Sequence, residues 1–115
     1  MPDTLFLLTP GFPDEALPGR HFYCEHCALI EGVLTSFPDL GNDIEVRRVA
    51  FPRPRKDVVA LVGEEHQSLP LLILSDGGPA DGVATRAHGE RRFISNKDEI
   101  LRALSLRHGF PEPHP

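Results

Sequence analysis

Long apolar runs are missing from this sequence. The longest uncharged apolar stretches, Leu5-Phe6-Leu7-Leu8 and Leu69 to Leu74, fall far short of the roughly 18 consecutive apolar residues that a membrane span needs. No membrane partner is expected. Positive charge is also short: 12 basic residues stand against 17 acidic ones, a net charge of −5. That balance argues against a nucleic-acid reader, which carries a basic surface. Cysteine is scarcer still, with two in the chain, set as Cys24-Glu25-His26-Cys27. Two cysteines make no disulfide framework, and cytosolic thiols are kept reduced. The amino terminus has neither the basic start nor the apolar length of a secretory signal, so the expected compartment is the cytoplasm. For the cysteine pair there remain chemistry, a metal site or chance.

What is abundant is turn-forming residue. Twelve prolines and ten glycines make up about a fifth of the 115 residues, well above the roughly 12% of an average chain. Hydrophobic residues still reach 40%, enough for a core, so the surplus marks long loops and not disorder. The length fits one domain. We expect it over residues 1–110, followed by a flexible proline-rich tail over 111–115.

Periodicity divides the chain. Thr4 to Thr9 leans to strand and closes on Pro10-Gly11; residues 10–23 read as a loop. After Cys24, the residues Ile30, Val33, Leu34 and Phe37 fall at i, i+3, i+4 and i+7, the apolar stripe of a helix that Pro38 ends. Ile44 to Phe51 reads as a strand with Ile44 and Val46 inward. A short helix from Lys56 or Asp57 to Val62 follows, with Gly63 as its cap. Leu71-Leu72-Ile73-Leu74, entered through Pro70, has the continuous apolar character of a strand buried on both faces. Residues 75–90 read as a second long loop around the short strand start at Arg91, and Asn96 caps a last helix with the inner stripe Ile100, Leu101, Leu104 and His108. The expected sheet has four strands, parallel in its first half and antiparallel in its second, flanked by about three helices.

The cysteine pair therefore lies at a helix amino terminus. Free backbone N–H groups and the helix dipole favour negative charge there, and the thiolate is the reactive form of cysteine. Cys24 is the expected attacking thiol. Cys27, one turn further in, is the expected resolving one. Between them His26 would favour the Cys24 thiolate when protonated, and Glu25 would oppose it. An alternative gives the pair to a metal: zinc or an iron–sulfur centre on Cys24 and Cys27 with His21, in the ligand-like spacing His21-x-x-Cys24-x-His26-Cys27, and with His26 and His66 as further histidines. Zinc takes such groups tetrahedrally, but the second ligand pair of a strong zinc motif is missing. Arg47, Arg48, Arg53, Arg55 and Lys56 read as a solvated basic edge. Gly77-Gly78 and Gly82 read as loop glycines, and Ser36 and Ser75 align with no His/Asp constellation.

Phe22-Tyr23-Cys24-Glu25-His26-Cys27 heading a helix, with Ser68-Leu69-Pro70 heading a buried strand, resembles the thioredoxin superfamily. The segment Phe93 to Ile100 resembles the glutaredoxin ending, and the whole chain resembles a small uncharacterised bacterial group of thioredoxin-like proteins. The resemblance implies a thioredoxin-like α/β fold and a thiol–disulfide oxidoreductase acting on a protein or glutathione disulfide, with no resident cofactor. It implies that Pro70 is cis and faces the cysteines, and that the Leu69 backbone pairs with an extended substrate, with Tyr23 flanking the thiol. It also implies that Ser95, Asn96 and Asp98 lie where glutaredoxins hold a glutathione carboxylate. Three departures stand out: Ser95-Asn96 replaces the usual Gly-Gly, Leu5 to Leu8 lacks the buried acid of thioredoxins, and the loops at 10–23 and 75–90 are long. These departures motivate the other functional class, a binding or regulatory module of the same fold whose cysteines are inert or hold metal.

Overall fold

The computed structural model describes residues 2–75 and 78–115; Gly77 lies outside them. Strand β1 (Asp3–Leu8) is buried at every position. It pairs in parallel with β4 (Ile44–Val49) and antiparallel with β5 (Leu71–Ile73). Beyond β5 come β7 (Arg91–Ile94) and the edge strand β6 (Arg86–His88), both antiparallel, so the sheet runs β4-β1-β5-β7-β6. Helix α1 (Glu25–Ser36) carries the chain from β1 across to β4, the crossover that a parallel pair requires. The result is an α/β fold with, among the described residues, three α-helices and a mixed sheet, in line with the thioredoxin-like arrangement expected.

Side-chain alternation along the strands builds two cores. Leu5, Leu7, Leu72 and Ile94 face α1 and α3 (Lys97–His108), where they meet Ile30, Ile100, Ala103 and Leu104. Phe6, Leu71, Ile73 and Phe93 face the other way, onto Val58 and Val62 of α2 (Lys56–Val62). Helices on both sheet faces explain why β1 and β5 show no polar alternation.

Capping follows the sequence. The Asn96 side chain accepts the Glu99 N–H at 3.1 Å, while the Glu99 carboxylate accepts the Ala84 N–H at 3.0 Å instead of closing the capping box. Gly109, in the left-handed region at φ 75°, ends α3, and Phe110 donates back to the Leu104 carbonyl at 3.3 Å. That turn buries Phe110, edge-on to Phe37 with ring centroids 6.4 Å apart.

Two parts of the expected outline change. The sheet has five strands, not four, because β6 lies within the second long loop. All three of its residues are exposed, so no apolar alternation announced it. The cue was the two-residue connection Gly89-Glu90 between His88 and Arg91, which are paired. The first long loop likewise contains a hairpin, β2 (Phe12–Pro13) with β3 (His21–Phe22). Phe12 stacks on Phe51 at 4.4 Å and 11°, which fastens this hairpin to the end of β4.

Candidate functional site

The carboxyl ends of β1 and β4 point the same way, and such ends are where open α/β sheets offer a crevice. The chain leaves β1, makes the β2–β3 hairpin and enters α1 there. Cys24 is the N-cap of α1. Its Sγ accepts the Cys27 N–H at 3.1 Å, doing with sulfur what a serine or aspartate oxygen usually does at this position. The two-residue spacing thus sets the pair at N-cap and N3, the geometry of a capping box. Cys24 is partly exposed and Cys27 buried; both are free thiols.

Each sulfur has one further neighbour. The Cys24 S–H lies 3.9 Å from the Leu69 carbonyl, and the Leu69–Pro70 peptide is cis. Cys27 Sγ accepts the Leu8 N–H at 3.5 Å. Burial pushes the Cys27 thiol up to about 12; the hydrogen bond and charge of Cys24 and the more distant Glu31 add to the rise, against the Leu8 N–H, which lowers it.

Of the other expected residues, Tyr23 is 67% exposed beside Cys24, and Glu25 and His26 are exposed on the first turn of α1. Pro70 is buried and Leu69 half-buried. Ser95 and Asn96 form the entry to α3, where the Asn96 side chain is committed to the cap. Asp98 is held below its ordinary range chiefly by its hydrogen bond to Lys97 at 2.7 Å, with His26 contributing at longer reach. His21 is exposed in the β2–β3 hairpin, and His66 packs instead on Phe93, with ring centroids 4.8 Å apart. Among the described residues, no group of three or more His, Cys, Asp or Glu side chains is arranged to hold a metal ion.

The basic edge needs correction. Arg47 pairs with Asp57 at 3.0 Å and Arg48 makes a two-pronged contact with Glu31 at 2.8 and 2.6 Å, both at the surface. Arg55 is different: it is only 7% exposed. Its Nε and Nη2 donate to the Phe51 carbonyl at 3.0 and 2.7 Å, and its Nη1 donates to the Gln67 carbonyl at 2.6 Å. The Arg55 backbone N–H donates to Gln67 Oε1 at 2.7 Å. Among the described residues no carboxylate pairs with this guanidinium. Burial, then Arg53, lower its pKa, while Cys27 and Cys24 act to raise it. The sequence carried no signal for this burial, because Arg55 lies between prolines and a short helix with no apolar periodicity around it.

A second polar cluster occupies the opposite end of β1. Asp3, 2% exposed, accepts from Arg107 Nε and Nη2 at 2.7 and 2.8 Å and from the Ser75 N–H and hydroxyl at 2.7 and 2.9 Å. His108 Nε2 lies 2.7 Å from its other face. Ser75, which aligns with no His/Asp constellation in the sequence, meets Asp3 only through the fold. A cavity of about 660 Å³ opens beside the cluster, but Ser75 and His108 both turn to Asp3 and not to each other, so no activated nucleophile faces it. The free thiols are at the cysteine end.

A family model described as "Protein of unknown function (DUF3088)" matches residues 2–112, and the chain belongs to that family. No curated protein and no solved structure matches it.

Proposed function

We propose that this DUF3088 member is a thiol–disulfide oxidoreductase of thioredoxin-like design, working in the cytoplasm on protein or glutathione disulfides. One observation carries the reading: Cys24 Sγ caps α1, accepts the Cys27 N–H at 3.1 Å and faces the Leu69 carbonyl across a partly open surface. Helix N–H groups at that position stabilise the negative charge a thiol acquires when it loses its proton.

In the proposed cycle the Cys24 thiolate attacks one sulfur of a substrate disulfide. The substrate S–S bond breaks, the leaving thiolate takes a proton, and Cys24 is left in a mixed disulfide. Cys27 then loses its proton to solvent and attacks Cys24 Sγ. The second substrate thiol leaves, and two electrons have passed from the pair to the substrate. A thiol or dithiol reductant restores the pair.

The Cys27 environment orders these steps. Burial and the neighbouring Cys24 sulfur both hold its thiol protonated, so it does not compete for the first attack. Once Cys24 is bound in a mixed disulfide, its share of the rise disappears, and the Leu8 N–H at 3.5 Å remains to favour the Cys27 thiolate. Tyr23, exposed at the rim, and the half-buried Leu69 backbone supply contact for an extended substrate. Ser95, Asn96 and Asp98 at the start of α3 are the proposed rim for a glutathione moiety.

Reduction of insulin and of a glutathione mixed disulfide by the wild type and by Cys24→Ser tests the reading. Serine keeps the cap but not the nucleophile. The expected result is turnover by the wild type and the uncatalysed rate with the variant; equal rates overturn it.

A further inference from the structure

The outer edge of β6 has no strand beside it among the described residues, and an open edge is a template for pairing with another chain. The Arg92 carbonyl accepts the Leu74 N–H at 2.9 Å, so Arg92 bonds toward β5. Its cross-strand partner Ala87 is therefore the residue of β6 that turns its N–H and carbonyl outward. Side chains alternate about it. Arg86 and His88 lie on the face that carries Phe93 and α2, with Arg91 across from His88. That face is held in place. Arg86 lies over the buried Phe93 ring at 5.6 Å, and His88 packs on Gly63 so closely that a Cβ there would stand 2.9 Å from its ring.

Charge selects what this edge accepts. Residues 86–92 carry three arginines to one glutamate, in a chain of net charge −5. Elsewhere Arg47, Arg48, Lys97, Arg102 and Arg107 each meet a carboxylate. Arg86, Arg91 and Arg92 are exposed and meet none among the described residues. A second copy of the chain is a poor occupant, because antiparallel pairing of two β6 edges would gather the arginines of both on one face. We infer that the β6 edge is a docking surface for an acidic, extended segment of a partner protein, which adds to the sheet as an antiparallel strand. Ala87 supplies the main-chain pair. Carboxylates two residues apart in the segment fall on one face, opposite Arg86 and His88, with Cβ atoms about 4.5–5.5 Å away. Arginines on an edge also guard it against self-pairing, but a guard alone binds nothing. The inference makes no use of the cysteines and stands apart from the oxidoreductase reading.

The test is a titration of the full chain, followed by the backbone amide resonances, with a blocked seven-residue peptide of alternating glutamate and valine. The Ala87 resonance should shift saturably and its hydrogen exchange should slow. Arg86→Glu should weaken binding about tenfold, since a like charge replaces an opposite one across the pair. The same peptide with lysine for glutamate should leave Ala87 unmoved. So should the glutamate peptide N-methylated at its valines, whose amides would face Ala87. An Ala87 resonance that ignores the glutamate peptide overturns the inference. Equal binding of the N-methylated peptide also overturns it, because contact is then by charge without an added strand. A shift of Ala87 with protein concentration alone overturns it in favour of self-pairing. The peptide comparisons use the wild type, so they decide the matter even if Arg86→Glu does not fold.

Discussion

The two ends of β1 bury titratable groups equally well and treat them in opposite ways. Asp3 at the amino end and Cys27 beside the carboxyl end are each 2% exposed, on a strand about 17 Å long at ~3.3 Å per residue. In both, burial is the largest cause acting and raises the pKa. At Asp3 it is overcome. Arg107, the Ser75 N–H and hydroxyl, and His108 together hold the carboxyl well below its ordinary value of 3.8. At Cys27 one long N–H contact is all that opposes it, and the thiol stays protonated. The difference is in the partners and not in the depth. A fully paired charge makes a structural tie, whereas a sulfur supported by one long contact stays a neutral thiol.

The comparison breaks first at its sharpest contrast. Cys24→Ser should drop disulfide reduction to background while leaving the urea midpoint nearly unchanged, since serine is a good N-cap. Asp3→Asn should do the reverse. Removing one partner of a buried ion pair costs about 3–5 kcal/mol, visible as a lower urea midpoint, while the rate per folded molecule is kept.

The pH dependence of stability sharpens the same contrast, because the two shifts have opposite signs. Asp3 binds its proton more weakly in the folded state. Its contribution is complete above the ordinary carboxylate value near 3.8 and is lost as pH falls below that value through the folded one. Wild-type melting temperature should therefore fall on acidification below pH 4 more steeply than that of Asp3→Asn. Cys27 binds its proton more tightly in the folded state. Its contribution is complete below the ordinary 9.0 and is lost as pH rises toward about 12. Cys27→Ala should flatten that alkaline limb. At neutral pH, iodoacetamide should label Cys24 and spare Cys27; equal labelling would end the division between an attacking and a resolving thiol. The smallest effect belongs to α3, which reaches from one end to the other. Asn96→Ala should cost about 1 kcal/mol of stability through the lost cap, read as a lower urea midpoint.

Much of this was legible in the residues because it is local. The stripe from Ile30 to Phe37 required a helix, and the cysteine spacing put one sulfur at its cap. The apolar run of β5 required burial on two faces, and the run from Thr4 leaned to strand. Asn96 and Gly109 marked the ends of α3. Strand β6 escaped because an edge strand with every residue exposed has no pattern to read, and the β2–β3 hairpin because two-residue strands are shorter than any period.

The polar chemistry of the two ends divides along the same line. The sequence by itself determined that a thiol would meet the start of a helix, since capping and periodicity act over three or four residues. It could not determine which of five basic residues near β4 would lose its water. Arg55 is buried because Phe51 and Gln67 converge on it from two connections, and Asp3 is satisfied by Arg107 from 104 residues away. Burial and long-range pairing exist only once the sheet brings distant segments together. It was therefore the tertiary structure that decided which charged side chains lose their water and what each is tied to.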